Sequence, residues 1–168
     1  GNEYFRYFDV RQAEAITKSG QLAIRWIERE LNEYLNQTLR TDGVDYVIAS
    51  DTDSVYLTLD SLVKTHFQNI TDKQKIVSAL DRVCIDLIEP FIEKSYQKLA
   101  DYMKAYQQRM VMKREVIADR GIWTAKKRYV LNVWDNEGVR NEKPKIKIMG
   151  IEAVRSSTPA SCRKRIMD

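Results

Sequence analysis

The hydrophobic positions in the first quarter of the chain recur at the spacing of a helix. Apolar residues three or four positions apart run from Ile16 to Leu39, and Asp9-Val10-Arg11-Gln12 before them has the form of an N-terminal capping box. This pattern predicts one long amphipathic helix. Asp42-Gly43, a turn signal, follows it.

Two short apolar runs follow this helix and enclose a pair of carboxylates. Tyr46–Ser50 and Ser54–Leu59 have the composition of strands, and Asp51-Thr52-Asp53 separates them. The pattern therefore predicts a hairpin with its two aspartates at the tip. The neighbouring hydroxyl groups of Thr52 and Ser54 are expected to bond the turn and orient the carboxylates.

A second helix is predicted in the middle of the chain. Thr71-Asp72-Lys73-Gln74 is another capping box, and it opens a helical pattern that reaches Tyr96. Pro90 is expected to kink this helix, because proline cannot donate a helix hydrogen bond. The residues predicted to face the core are Ile76, Leu80, Val83, Leu87, Phe91 and Tyr96.

After the second helix the hydrophobic period changes to two, which is typical of strands. The predicted strands are Arg109–Ala118, Lys127–Asp135 and Lys145–Ile151, with a turn at Asn136-Glu137-Gly138. Ser156-Ser157-Thr158-Pro159 predicts the start of a short last helix. The order of helix, hairpin, helix and sheet predicts an α+β fold in which an antiparallel sheet is packed by two long helices.

Charge is distributed unevenly along the chain. A length of 168 residues fits a single domain, residues 1–168. Residues 1–103 carry 12 basic and 17 acidic residues, whereas residues 104–168 carry 16 basic and 7 acidic residues. An acidic half with paired aspartates and a basic half suit a protein that brings a metal to a polyanion, although two differently charged exposed faces would give the same distribution.

The cysteines and the hydropathy indicate where the protein works. Cys84 and Cys162 are the two cysteines, too few for a disulfide framework, so a reducing compartment is expected. No segment has the length and apolarity of a membrane span, and the N-terminus lacks the pattern of a signal peptide. We therefore expect a soluble, unexported protein that makes no contact with a membrane.

Three kinds of metal chemistry use two aspartates spaced by one residue. A calcium loop needs an oxygen ligand, a glycine and a glutamate further on, where this chain has Val55, Tyr56 and Leu62, so it is excluded. An aspartyl-nucleophile phosphatase stays open, because Asp51–Val55 matches its local pattern. The third is the hairpin of a nucleic-acid polymerase, where carboxylates hold two Mg²⁺ ions.

Two short motifs, in this order, resemble those of the family B DNA polymerases. Asp51-Thr52-Asp53-Ser54 resembles their motif C, and Lys126-Lys127-Arg128-Tyr129 resembles the Lys-Lys-x-Tyr element that follows it in the palm. Ala49-Ser50 stands where the family often has Tyr-Gly. The similarity to the T-even bacteriophage type covers essentially the whole chain and continues through Tyr129–Asp135, Lys145–Glu152 and Ser156–Pro159.

The resemblance implies a role for each matching residue. Asp53 would be the aspartate that holds both metals, Asp51 its weaker-contributing neighbour, and Glu115 an acidic residue near the metals on an adjacent strand. The residues implied to contact DNA are Lys126, Lys127, Arg128, Tyr129, Lys145, Lys147 and Arg155. An exposed strand acid would explain Glu115 equally well, and the charged outer face of a strand would explain Lys145 and Lys147.

The resemblance also implies what the complete enzyme would contain. The chain would be part of the palm of a DNA-directed DNA polymerase, truncated at both ends, with motif A, motif B, the exonuclease and the thumb outside it. Its cofactors would be two Mg²⁺ ions. Its partners would be primer-template DNA, deoxynucleoside triphosphates, the remaining parts of the polymerase, a sliding clamp and a single-strand-binding protein. The enzyme would work in the cytoplasm of an infected bacterial host.

We expect this piece of the enzyme to be inactive by itself. The metal ligand of motif A lies outside it, and two-metal catalysis depends on complete coordination. A natural polymerase split over two chains would receive that ligand from the second chain. The alternative from another class of protein is a non-catalytic DNA-binding module that has kept the fold and the basic strand.

Overall fold

The computed structural model describes residues 3–68 and 70–167 and has the predicted α+β class. The chain divides into two compact units. The first contains the described residues of Gly1–Asn69 and Leu87–Met112, and the second those of Ile70–Asp86 and Lys113–Asp168. The single domain expected from the length stays a prediction.

The first unit is built on a long helix, α1, Val10–Leu39. It begins where the sequence predicts, because the Asp9 carboxylate accepts the backbone N–H of Arg11 at 2.8 Å and caps it. It ends at Arg40, whose φ of 54° leaves the helical region. Ile16 is exposed, so the apolar face starts later than predicted. The buried residues of α1 are Ala23, Ile27, Leu31 and Leu35.

An antiparallel hairpin and a short helix follow in the same unit. The hairpin strands are β1, Val47–Asp51, and β2, Ser54–Leu57, and the helix is α2, Asp60–His66. The prediction of a hairpin is confirmed, with a second strand shorter than expected. Among the described residues these two strands form a sheet of their own, rather than part of a single larger sheet.

A π-helical turn divides the second predicted helix. The helix forms as α3, Lys73–Val83, and α4, Glu89–Tyr102, with the wider turn Cys84–Ile88 between them. Pro90 lies in the first turn of α4 and has no N–H, so the regular hydrogen-bond ladder cannot continue through this point. A π turn inserts a residue and rotates the face that follows it. For that reason Leu87, predicted to be buried, is exposed.

Three antiparallel strands form the sheet of the second unit. They are β3, Val116–Ala125, β4, Arg128–Asn136, and β5, Val139–Met149, in that order across the sheet. Glu137 and Gly138 join the last two strands, with φ of 51° and 83°. Positive φ at both positions is the geometry that suits the twist of a two-residue hairpin, and it confirms the predicted turn.

The first strand of this sheet lies further along the chain than the sequence predicts. The prediction of a strand at Arg109–Ala118 is wrong for residues 109–115, which are irregular, and the strand continues to Ala125. Glycine is common in loops, yet Gly121 lies inside β3. In the folded sheet Trp123 covers it, since a Cβ placed on Gly121 would lie 2.7 Å from the indole ring. The indole fills the space that a side chain at this position would occupy.

A buried network of opposite charges holds the second unit together. The carboxylate of Asp135 is fully buried and accepts Arg140 Nε and the N–H of Gly138, both at 3.0 Å, as well as Arg114 Nη1. Both arginines also pair with Asp81 of α3. Burial acts to raise the pKa of Asp135, but the hydrogen bonds from Arg140, Arg114 and Gly138 outweigh it and hold the pKa below its usual value.

Two short helical segments complete the described chain. A 3₁₀ turn covers Glu152–Val154, and the last helix, α5, covers Ala160–Met167. The carbonyl of Pro159 accepts the N–H groups of Cys162 and Arg163 at 3.0 Å, so the helix starts next to its predicted position. Within residues 3–68 and 70–167, no helix combines the length and the apolar character that crossing a bilayer requires.

Candidate metal hairpin and nucleic-acid interface

Asp51 and Asp53 lie at the tip of the hairpin in the first unit. Asp51 is the last residue of β1 and pairs with Ser54, so Thr52 and Asp53 form a two-residue loop. Asp51 is half-buried and Asp53 is exposed. The predicted position of the two aspartates, at a hairpin tip, is confirmed.

Hydrogen bonds around Thr52 hold the shape of this tip. The N–H of Asp53 donates to the carbonyl of Asp51 at 2.6 Å, and Thr52 between them has a φ of 51°. The Thr52 hydroxyl donates to the Asp51 carboxylate at 3.0 Å, and the Ser54 hydroxyl donates to the Asp51 carbonyl at 3.2 Å. A β-branched residue with positive φ is an energetic outlier, and such backbone strain concentrates at functional sites.

Two asparagines of α1 hold the chain where it enters the hairpin. The side-chain oxygen of Asn32 accepts the N–H groups of Tyr46 at 2.8 Å and Val47 at 3.0 Å. One helical turn later, the oxygen of Asn36 accepts the N–H of Val44 at 3.0 Å. Sequence reasoning missed both residues. Their signal is two amide side chains four positions apart beside the buried stripe of a long helix.

A bulge in β1 lies between this anchor and the aspartates. Val47 pairs with Leu57 and Ala49 with Tyr56, which leaves Ile48 as an extra residue. Ile48 is exposed accordingly. Bulges bend a strand and redirect the side chains beyond them, so the direction in which Asp51 points depends on this residue.

Lys126 and Lys127 form the tip of a second hairpin, which joins β3 to β4. Ala125 pairs with Arg128, so the two lysines are the loop between the strands, and both are exposed. Lys127 has a φ of 63°. The prediction that β4 starts at Lys127 is wrong by one residue. Because β4 begins at Arg128, the Lys126-Lys127 pair lies in the loop at the end of the sheet.

Three of the other predicted DNA contacts lie on the same face of the sheet. Lys145 pairs with Val133, and Lys147 pairs with Leu131, so the lysines lie on the same face as these two buried residues. Tyr129, two positions before Leu131, lies on this face too. Lys145 is exposed on this face and Lys147 is half-buried, so a charged outer face still explains them and their role as DNA contacts stays a prediction.

The two predicted arginine contacts share a partner. Arg128 Nη1 lies 2.9 Å from Glu152 Oε1, and Arg155 Nη1 lies 3.9 Å from the same oxygen. No sequence pattern singles out Glu152, because its pairing depends on how the end of the chain returns to the start of β4. The structure therefore brings Arg128 and Arg155 together.

Gly150 explains how the chain passes so close to the lysine tip. Its φ is 66°, and a Cβ placed on it would lie 2.0 Å from the carbonyl oxygen of Lys127. A glycine tolerates both the backbone conformation and the close approach. This contact positions the 3₁₀ turn beside the Lys126-Lys127 loop.

Replacing Gly150 with alanine is expected to destabilise the second unit by about 2–4 kcal/mol, since it combines a left-handed φ with a clash against backbone. Urea unfolding followed by tryptophan fluorescence measures this. Gly20→Ala is the control, because Gly20 lies inside α1 and a Cβ at that position would have no neighbour within 4 Å. That variant should gain about 0.5–1 kcal/mol. A Gly150→Ala loss below about 1 kcal/mol would contradict the expectation.

Glu115 belongs to the second unit, whereas the hairpin aspartates belong to the first. It is exposed and lies just before β3, and its carbonyl accepts the N–H of Glu137 at 2.5 Å. Its role as a metal ligand stays a prediction. Within the part of the chain that the structure describes, no three or more His, Cys, Asp or Glu side chains are grouped closely enough to hold an ion.

The strand arrangement around Asp51 does not favour the phosphatase interpretation. That motif normally opens a domain with a parallel sheet, whereas β1 pairs antiparallel with β2. The other described strands pair antiparallel as well. A hairpin that carries aspartates at its tip is the arrangement expected of a polymerase.

Comparison with known proteins agrees with the motifs. A family model described as divergent family B DNA polymerase matches residues 36–168. The chain is 43% identical over 177 aligned positions to a DNA-directed DNA polymerase of Escherichia phage RB69, and 40% identical over 175 to one of Enterobacteria phage T4. These alignments cover 100% and 99% of this chain but 20% of each relative. The chain belongs to the divergent family B DNA polymerases.

Proposed function

We propose that this chain supplies the motif C hairpin and a DNA-contacting sheet to a DNA-directed DNA polymerase. The observation that carries the proposal is the position of Asp51 and Asp53, at the two-residue tip of an antiparallel hairpin. The reaction is template-directed transfer of a nucleotide to the 3′-hydroxyl of a primer. Its substrates are primer-template DNA and deoxynucleoside triphosphates, and its setting is the cytoplasm of an infected bacterium.

The donor atoms at the hairpin tip suit Mg²⁺. Carboxylate oxygens are its preferred protein ligands, and it usually takes only one or two of them alongside substrate phosphates and water. Asp53 is exposed at the loop and would hold the metals, and Asp51, held by the Thr52 hydroxyl, would support it. Mg²⁺ bound there would supply the positive charge that activates the primer hydroxyl and neutralises the leaving pyrophosphate.

Two carboxylates do not complete a two-metal site. Further ligands come from motif A in the rest of the polymerase, with Glu115 as a candidate on this chain. The hairpin's own contribution is to keep its carboxylates in place, through the hydroxyl bonds at the tip and the Asn32 anchor. A rigid support matters because Mg²⁺ demands near-octahedral geometry.

The basic groups of the second unit would hold DNA through its phosphates. Lys126 and Lys127 project from a hairpin loop, and Lys145 and Lys147 share a face of the sheet. Phosphate contacts are indifferent to base sequence, which a replicative enzyme requires. A sliding clamp and a single-strand-binding protein are proposed partners of the whole enzyme.

A chimeric polymerase tests the proposal. The matching fifth of the RB69 relative is replaced by this chain, which aligns with it over its full length. The chimera is expected to extend a primer with Mg²⁺ and all four nucleotides. The isolated chain is expected not to extend it, since its metal site is incomplete.

Two controls set the lower and upper limits of the chimera's activity. The relative with the segment deleted should be inactive, and the unaltered relative sets the full rate. A well-folded chimera that binds primer-template but does not extend it would contradict the proposal and favour the non-catalytic DNA-binding module. Primer extension by the isolated chain would contradict the expectation that its metal site needs ligands from elsewhere.

A further inference from the structure

Glu152 lies between the side chains of two arginines in the second unit. Its Oε1 is 2.9 Å from Arg128 Nη1 and 3.9 Å from Arg155 Nη1. Arg128 opens β4, whereas Arg155 follows the 3₁₀ turn that Glu152 begins. Two guanidinium groups from separate elements thus converge on one carboxylate oxygen.

The backbone holds these elements in place. Gly150 packs its Cα against the Lys127 carbonyl, so the start of β4 and the 3₁₀ turn are adjacent independently of the ion pairs. The N–H of Arg155 donates to the carbonyl of Glu152 at 3.3 Å, which positions Arg155 relative to the turn. The backbone therefore keeps the two elements that carry the arginines adjacent without the ion pairs.

A carboxylate between two arginines occupies the kind of position that a phosphate takes. Guanidinium groups bind both anions through the same planar fork of N–H donors. The side chains are 39%, 48% and 51% exposed for Arg128, Glu152 and Arg155, so the ion pairs are in contact with water. Solvent-exposed ion pairs of this kind are weak, so an incoming phosphate can displace the carboxylate at small cost.

We infer that Arg128 and Arg155 together bind one phosphodiester group of the DNA backbone, and that Glu152 occupies their site when DNA is absent. This inference rests on the proposed function, because it takes DNA as the ligand. Lys126 and Lys127 directly precede Arg128 and add positive charge next to it. Glu152 then weakens the grip on DNA by competing with the phosphate, which lets the backbone leave the site again.

The test compares two variants that each remove one negative charge. Glu152→Gln frees the arginines, whereas Glu142→Gln changes an exposed residue of β5 outside this cluster. Binding of a labelled primer-template duplex to the full 168-residue chain is measured at several salt concentrations. Glu152→Gln should bind roughly fivefold more tightly at about 50 mM salt, with a slope of log K against log salt steeper by about one. Glu142→Gln should change affinity less than twofold.

Two further measurements distinguish the possible causes of tighter DNA binding. Arg155→Gln added to Glu152→Gln should return the affinity to that of the unaltered chain. Titration with inorganic pyrophosphate alone distinguishes DNA backbone from the phosphates of a nucleotide; a gain for pyrophosphate without a gain for DNA would overturn the assignment to a phosphodiester. Circular dichroism verifies that each variant is folded.

The outcomes of this test and of the chimera test are independent. Equal effects of the two glutamate variants, or no DNA binding by any variant, would overturn the phosphate site. If the duplex binds and the two glutamate variants behave alike, the polymerase proposal still stands on the chimera. An inactive chimera together with a tighter Glu152→Gln variant would overturn catalysis and leave the phosphate site intact.

Discussion

Asp53→Asn in the chimeric polymerase is expected to reduce primer extension by roughly a thousandfold or more, because metal ions supply several kcal/mol of transition-state stabilisation. Asparagine keeps the size of the side chain and removes the negative charge that a metal needs. Asp53 is exposed at the tip, so the change should leave the hairpin folded. Single-turnover extension rates at saturating nucleotide measure the loss.

Two matched variants show whether the loss of primer extension is specific to Asp53. Asp51→Asn should lose roughly tenfold, as expected of a supporting group. Asp42→Asn, an exposed aspartate between α1 and β1, should keep the chimera's full rate. Primer-template affinity should be the same for all of them. An Asp53→Asn chimera within tenfold of the parent would refute the metal-binding role.

Asp135→Asn is expected to destabilise the second unit by about 3–5 kcal/mol, since it removes a buried carboxylate that accepts from Arg114 and Arg140 and leaves the two arginines to share the charge of Asp81. The Asp135 side chain is 1% exposed and that of Arg114 is 11%. An asparagine amide would also direct an N–H donor toward groups that are themselves donors. The chain would lose much of its margin of stability, because single domains are stable by only about 5–15 kcal/mol.

Urea unfolding in a Trp26→Phe background measures this change. The two remaining tryptophans, Trp123 and Trp134, both lie in the sheet of the second unit. Asp119→Asn is the control, because its carboxylate is more accessible and bonds Asn132 at 2.7 Å in the same sheet. It should cost about 1–2 kcal/mol, because one hydrogen-bonded carboxylate is removed. An equal loss for the two variants would contradict the special role of the buried network.

Acidification should weaken the same buried network around Asp135. The pKa of Asp135 lies below its usual value, so the stabilising charge is fully present above an ordinary aspartate pKa of about 4 and is lost as the pH falls through the lower, folded-state value. Stability of the unaltered chain should therefore fall with acidification below about pH 4. Asp135→Asn should show a shallower fall, because that carboxylate is no longer there to be protonated.

The elements with local signals were predictable from the sequence. Asp9 caps α1 with its own side chain, and the Asp51-Thr52-Asp53 loop is bounded by strand-forming residues on both sides. The Glu137-Gly138 turn contains a glycine where positive φ is needed. Each of these signals lies within a few residues of the feature it specifies, and the structure confirms each prediction.

The features that depend on distant residues could not be predicted in the same way. Lys126-Lys127 lacks the residues that usually mark a turn, and its shape depends on the approach of Gly150. The π turn changes a helical register by one residue, which periodicity alone cannot locate. Arg114 and Asp135 are 21 residues apart in the sequence, so their contact has no local signal. Metal ligation by Asp51, Asp53 and Glu115 remains a prediction.

The bond from Asn32 to the backbone of β1 ties the position of the aspartate hairpin to the long helix. The helix determines where the strand starts, so a substitution that rotates α1 or slides it along its axis would move both carboxylates while every residue of the hairpin stayed the same. A displacement of about 1 Å at a reacting group can cost a hundredfold in rate. A substitution inside α1 would then lower activity by misplacing the aspartates. A second substitution in α1 that restores the position of Asn32 should restore activity.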